Sequence, residues 1–119
     1  GGIADSRAQM EAILAANPDP GSISAVWAAW DQPAIGALQA IESAGRASEG
    51  IVITGIDANP QARDAIALAG NFEVSIAQDF AAMGAAAADV AARAIAGSEQ
   101  RARVIYVPTK MVTANNAGQ

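Results

Sequence analysis

The sequence predicts an α/β protein: a three-layer, doubly wound parallel sheet with helices on both faces. Three observations predict it. Helical and strand patterns alternate in the order α-β-α-β-α-β-α-β-β, which implies parallel strands joined by right-handed crossovers. The run Ile51-Val52-Ile53-Thr54 is short and β-branched, as strands buried within a parallel sheet are. Three strand patterns also end on a polar or aromatic residue before passing into a helix. Ser24 to Ala29 runs into Trp30-Asp31, Ile51 to Ile56 into Asp57, and Phe72 to Ala77 into Gln78.

The elements follow in order. Asp5 or Ser6 can cap a first helix with Met10, Ile13 and Leu14 on one face, and Asn17-Pro18-Asp19-Pro20-Gly21 ends it. A strand through Ile23, Ala25, Val26 and Trp27 comes next. Pro33 suits the first turn of a helix carrying Ile35, Leu38 and Ile41, which Gly45 stops. After a polar loop over residues 46–50 and the second strand, Asn59-Pro60 reads as a cap with proline at the first helical position. That helix runs through Ile66 and Leu68 to Gly70, and the third strand follows. Asp79 caps the longest helix, whose apolar face repeats as Phe80, Met83, Ala87, Val90 and Ala94 until Gly97 closes it; this face reads as core. Val104-Ile105-Tyr106-Val107 and Lys110-Met111-Val112-Thr113 read as two short strands broken at Pro108, and the tail from Ala114 to Gln119 as frayed.

Composition removes whole classes of function. The 119 residues allow one domain of ordinary size, and 52% hydrophobic residues supply a core although aromatics are only 4%. A net charge of −5 argues against nucleic acid or an anionic membrane as partner. No apolar run approaches the roughly 20 residues needed to span a bilayer, so no membrane insertion is expected. Cysteine and histidine are both absent. Thiol nucleophiles, Cys/His zinc sites and the Ser-His-Asp triad go with them, so neither an enzyme nor a cofactor is expected. No GxGxxG or GxxxxGK[ST] phosphate loop exists, and Arg93, Arg101 and Arg103 are dispersed solvated charges. The start at Gly1-Gly2-Ile3 reads as a cut or processed chain.

What remains is a ligand-binding wall. In open α/β sheets, ligands bind in the crevice outside the carboxyl ends of the strands. Asp57 is the sharpest candidate there. Asn59 already serves as helix cap, and a carboxylate at a strand end can accept two hydroxyls of a polyol. Gln78 offers both a donor and an acceptor, although a surface glutamine costs nothing to keep. Trp27 and Trp30 are three apart on a strand pattern, so one faces the core and the other the crevice. Trp30, at the strand end, is the crevice candidate, against the plainer reading that it packs. Asp31 reads as the cap of the helix that begins around Pro33.

With these residues in view, the chain resembles a known family. The stretches Ala34-Ile35-Gly36-Ala37-Leu38-Gln39-Ala40-Ile41, Thr54-Gly55-Ile56-Asp57, Ser75-Ile76-Ala77-Gln78 and Val107-Pro108-Thr109-Lys110-Met111-Val112-Thr113 are similar to the C-terminal portion of ribose-binding-like, type I periplasmic proteins. The resemblance implies part of a fold in which two α/β lobes close over a sugar or polyol for an ABC importer. It implies an extracytoplasmic location, an ABC transporter permease as partner, and no cofactor. Asp57 matches the aspartate of the glycine-hydrophobic-aspartate motif, and Gln78 the glutamine after the next strand. Trp30-Asp31 stands where an Asn-Asp pair is usual, so an indole replaces a hydrogen-bonding amide.

The resemblance further implies three portions. Residues 1–78 would belong to the C-terminal sugar-binding lobe, 79–108 to a segment that crosses to the N-terminal lobe, and 109–119 to a closing strand and tail. The N-terminal lobe would lie before Gly1, leaving a face for that lobe or a second copy of the chain to cover. The alternative is the effector-binding domain of a lactose-repressor-like regulator, which shares the fold.

Overall fold

The computed structural model describes residues 2–97 and 104–119. Among the described residues, eight regular elements follow one another: α1 Gly2–Ala16, β1 Ala25–Trp27, α2 Asp31–Ser43, β2 Val52–Ile56, α3 Pro60–Ala67, β3 Phe72–Gln78, α4 Phe80–Ile95 and β4 Thr109–Val112. A single 3-10 turn, Ala47–Glu49, precedes β2. The strands form one sheet in the order β1-β2-β3-β4, with β1 parallel to β2 and β2 parallel to β3. This is the α/β class expected from the alternation of patterns. The chain divides into a larger unit, Gly1–Ala77 with Met111–Gln119, and a smaller one, Gln78–Lys110.

In the larger unit, the core lies where α2 covers the sheet. Ala34, Ala40 and Ile41 of α2 are fully buried with Ile51, Ile53, Phe72, Ile66 and Val112. Their spacing on α2 is that of one helical face. Burying each of the large ones contributes about 1.5–3 kcal/mol. Helix α1 packs on α2 and brings Met10 and Leu14 to that core. The approach is close: a Cβ on Gly36 of α2 would overlap Ser6 Oγ, the Ile3 carbonyl oxygen and the Arg7 amide.

The helix ends explain why the elements stop where they do. After α2, Gly45 takes φ 70°, the Gly45 amide donates to Glu42 O and the Arg46 amide to Ile41 O. These are the paired bonds of a Schellman motif, which glycine closes without strain. The Arg46 guanidinium then clasps Glu49 at 2.7 and 2.8 Å and donates to Asn17 O, fastening the end of α1 to the turn before β2. Asn59 and Asp79 cap α3 and α4 as expected, accepting from the Ala62 and Ala82 amides at 2.9 and 2.8 Å.

Several expectations are corrected. Helix α1 begins at Gly2, so neither Asp5 nor Ser6 caps it; the Ser6 hydroxyl donates back to Gly2 O and Ile3 O within the first turn. Helix α3 ends at Ala67, earlier than Gly70 suggests, and the chain turns away after its cap Leu68 on Ala69, in the left-handed region at φ 52°. Residues 104–107 form no strand. β-Propensity is satisfied only when a neighbouring backbone is available. Within the smaller unit Ile105 and Val107 instead line a groove of about 440 Å³ with Met83, Ala86, Ala87, Val90 and Ala91 of α4. No residue of α4 is buried, and Met83 is 43% exposed, so its apolar stripe is not the core element it resembled. The C-terminal tail is not frayed. Ala117 is buried, Asn116 ties back to Thr113 and Met111, and Arg63 donates to Ala117 O and Gln119 O. Arg101 and Arg103 lie outside the described residues.

Candidate functional site

β2 carries Gly55, Ile56 and then Asp57, where the backbone leaves the strand. Asp57 takes φ 106° and Ala58 φ 51°, two consecutive non-glycine residues in the left-handed half of the map. Such conformations cost of order 1–3 kcal/mol each and persist only when the surroundings over-determine them. Here they do. The Asp57 amide donates to Ile76 O at 2.8 Å, the Ala58 amide to Ser75 Oγ at 3.0 Å, and the Asn59 amide to Asp31 Oδ2 at 2.7 Å. On the carbonyl side, Arg63 Nε donates to Ala58 O at 2.9 Å. Three successive amides and one carbonyl of the turn are therefore all engaged.

Asp31 and Ser75 make the interior of this arrangement. Both are fully buried, and the Ser75 hydroxyl donates to Asp31 Oδ1 at 2.6 Å. Asp31 is thus not the cap of α2. It is the first residue of that helix, the preceding Trp30 is the N-cap and makes no side-chain cap bond, and the Asp31 carboxylate points inward to the β2–α3 turn. Burial pushes the Asp31 carboxyl above its ordinary value. Hydrogen bonds from the Ser75 hydroxyl and the Asn59 amide pull the other way, the charge of Asp57 adds to the rise, and the Ala58 amide opposes it.

Gly55 allows the carboxylate to sit there. A Cβ at Gly55 would lie 2.6 Å from Asp31 Oδ1 and 3.0 Å from Phe72 Cζ. Ser75 and Phe72 are three apart in β3, so regular alternation would send them to opposite faces. The register shift between Ile53 and Thr54 places Phe72 beside Ile53 and Ser75 beside Gly55, and so on one face. Glu73, the residue skipped in the pairing, is exposed.

The three candidates fall as follows. Asp57 follows β2 directly and is partly exposed; Trp30 follows the neighbouring parallel strand β1 and is 45% exposed. Both belong to the larger unit, at the carboxyl edge of its sheet. Gln78 is the last residue of β3 and the first of the smaller unit, and it is partly exposed. Trp27 is not the core partner that alternation assigned to it. It lies on the edge strand β1 and is 73% exposed. From the sequence, Asp31 reads only as a helix cap and as the second member of the Trp30-Asp31 pair, and Ser75 is not singled out as a support for the Asp57 turn. A small, buried polar residue inside an apolar strand was the one available signal for Ser75. Among the described residues, no cluster of His, Cys, Asp and Glu is able to hold a metal ion, and no helix is long and apolar enough to cross a membrane.

The sequence matches a known family of domains. The periplasmic binding protein domain matches residues 3–99. Over 89 residues, covering 75% of this chain and 28% of the relative, the chain is 42% identical to a Rhizobium meliloti protein that carries the name of a rhizopine-binding protein. It is 33% identical over 94 residues to the ribose import binding protein of Salmonella typhimurium, covering 79% of this chain and 30% of that protein. Among solved structures, an ABC transporter solute binding protein from Agrobacterium vitis with bound allitol superposes with a TM-score of 0.86 at 34% identity. That match covers 98% of this chain and 39% of the other. The chain therefore spans under a third of the length of these two curated relatives, which are named for binding rather than for catalysis. By the match over residues 3–99, the chain belongs to the periplasmic binding protein domain family.

Proposed function

We propose that this chain forms the greater part of one lobe's binding wall in an extracytoplasmic solute-binding protein, one that holds a sugar or polyol for an ABC importer. The observation that carries the reading is the turn at Asp57. Its carboxylate follows a parallel strand, on backbone held in an unfavourable conformation by bonds to Ile76, Ser75 and Asp31. An ionised carboxylate on a rigid mount accepts two adjacent hydroxyls with little loss of its own freedom on binding. Trp30 contributes a half-exposed indole for the apolar face of the ligand, and Gln78 an amide that both donates and accepts. The permease and a second, N-terminal lobe are the partners of this reading. The names of the relatives, an import binding protein and an ABC transporter solute binding protein among them, support it over the repressor-like alternative.

The test is calorimetric titration of a full-length, two-lobed protein carrying this chain, with ribose and allitol as probes. Asp57→Ala should weaken binding by about 1.5–3 kcal/mol, the range for hydrogen bonds to a charged group. That corresponds to a Kd raised roughly 10- to 150-fold. An unchanged Kd removes Asp57 from the site and the reading with it.

A further inference from the structure

The buried pair behind the turn has a use that packing alone does not supply. Asp31 and Ser75 are the two fully buried polar side chains of the described residues, and a buried carboxylate is retained only where hydrogen bonds repay its lost hydration. Their bonds go to one place. Ser75 Oγ receives the Ala58 amide and Asp31 Oδ2 receives the Asn59 amide, the two amides that directly follow Asp57. The Ser75 hydroxyl joins the two acceptors by donating to Asp31 Oδ1 at 2.6 Å. Gly55 leaves room for this pair and for nothing larger.

We propose that Asp31 and Ser75 are positioning residues for Asp57: together they impose the left-handed turn that aims its carboxylate at the ligand. This rests on the reading of Asp57 as a ligand contact. The physical argument is conformational. Two non-glycine residues at φ 106° and 51° would relax toward ordinary backbone if their neighbours let go. The next amides along are the ones that Ser75 and Asp31 hold. Loosening that hold frees Asp57 to leave the productive geometry, and part of the binding free energy is then spent on reordering it. The Asp57 amide itself bonds to Ile76 O, a backbone contact that a side-chain replacement leaves in place. The turn should therefore become mobile rather than unfold.

A thermodynamic cycle tests it, with Kd for ribose and allitol measured in the full-length two-lobed protein. Ser75→Ala should raise Kd about 5- to 10-fold when Asp57 is present, and by less than about 2-fold in the Asp57→Ala background, because its effect runs through Asp57. Asp31→Asn, which keeps the volume and an acceptor for Asn59, should follow the same pattern at smaller amplitude and serves if Ser75→Ala fails to fold. An equal change in both backgrounds would show a general structural role and overturn the proposal. So would an unchanged Kd for folded Ser75→Ala or Asp31→Asn. If Asp57→Ala alone leaves Kd unchanged, the ligand-contact reading has failed and the positioning role falls with it. If Asp57→Ala weakens binding but the cycle is additive, only the positioning role is lost.

Discussion

Replacing Gly36 with alanine isolates how closely α1 and α2 are packed. The substitution offers α2 a better helix former, worth about 1 kcal/mol in a helix interior. Against that, the new methyl would overlap the Ile3 carbonyl oxygen, the Arg7 amide and the Ser6 hydroxyl. Two of these three are backbone atoms, which cannot swing aside. Helix α1 must therefore move as a body. Overpacking a well-filled core typically costs about 1–3 kcal/mol. Full undocking of α1 sets the ceiling, since Met10 and Leu14 are only 4% and 5% exposed and each gives back about 1.5–3 kcal/mol on exposure. Because two of the overlaps are with backbone, the cost lies at the upper end of the overpacking range, and net of the propensity gain Gly36→Ala should destabilise the chain by about 2 kcal/mol. Thermal unfolding followed by circular dichroism should then show Tm lower by roughly 8 °C. Removing the Ser6 hydroxyl in addition should not restore it, because the backbone overlaps remain. A Tm at or above that of the wild type would refute the argument and show that α1 can shift on α2 without loss.

Two further outcomes concern stability. Ala69→Gly should stabilise the chain by roughly 0.5–1 kcal/mol in chemical denaturation, because Ala69 closes α3 at φ 52°, where glycine carries no Cβ penalty. Asp31 gives a pH signature. Its carboxyl is raised in the folded chain, so the native state holds more protons than the unfolded one from the ordinary carboxylate value of 3.8 up to the raised value. Stability contributed by this group falls as pH rises through that window and is level above it. The stability difference between the wild type and Asp31→Asn should thus shift against the wild type between those limits. A pH-independent difference would mean that Asp31 titrates normally.

How much of this was legible in the sequence depends on how local each feature is. The caps Asn59 and Asp79 and the stop at Gly45 are decided within one helical turn, and all three read correctly. Asp57 stood out because its neighbour Asn59 had already taken the capping role. Asp31 was misread for the converse reason. Its sequence position suits a cap, but its partners lie 28 and 44 residues away, on segments that meet only once β2 and β3 are paired. Ser75 depends in addition on a register shift that no alternation pattern announces. Val104 to Val107 and Trp27 failed because apolar, β-prone residues were assumed to find cover. Val104, Ile105 and Tyr106 are 62%, 51% and 89% exposed, and Trp27 sits on an edge strand.

The larger unit is assembled from two stretches of chain that are not contiguous, and this has a consequence for how the protein tolerates change. Val112 is fully buried in the core, and Arg63, which holds the Ala58 carbonyl, also grips the carbonyls of Ala117 and Gln119. The residues after Lys110 must therefore return and dock before that core is complete. Everything from Gln78 to Lys110 serves, from the larger unit's standpoint, as a closed loop. The entropy of closing such a loop grows slowly, by about 0.6 kcal/mol for each doubling of its length. Insertions or deletions within that excursion should leave the larger unit standing, while loss of the few residues around Val112 should not. A cut made within it should leave the terminal peptide seated, held by Val112 and the Arg63 bonds. The two units are thus free to diverge at different rates, one constrained by its closing strand and the other hardly constrained in length at all.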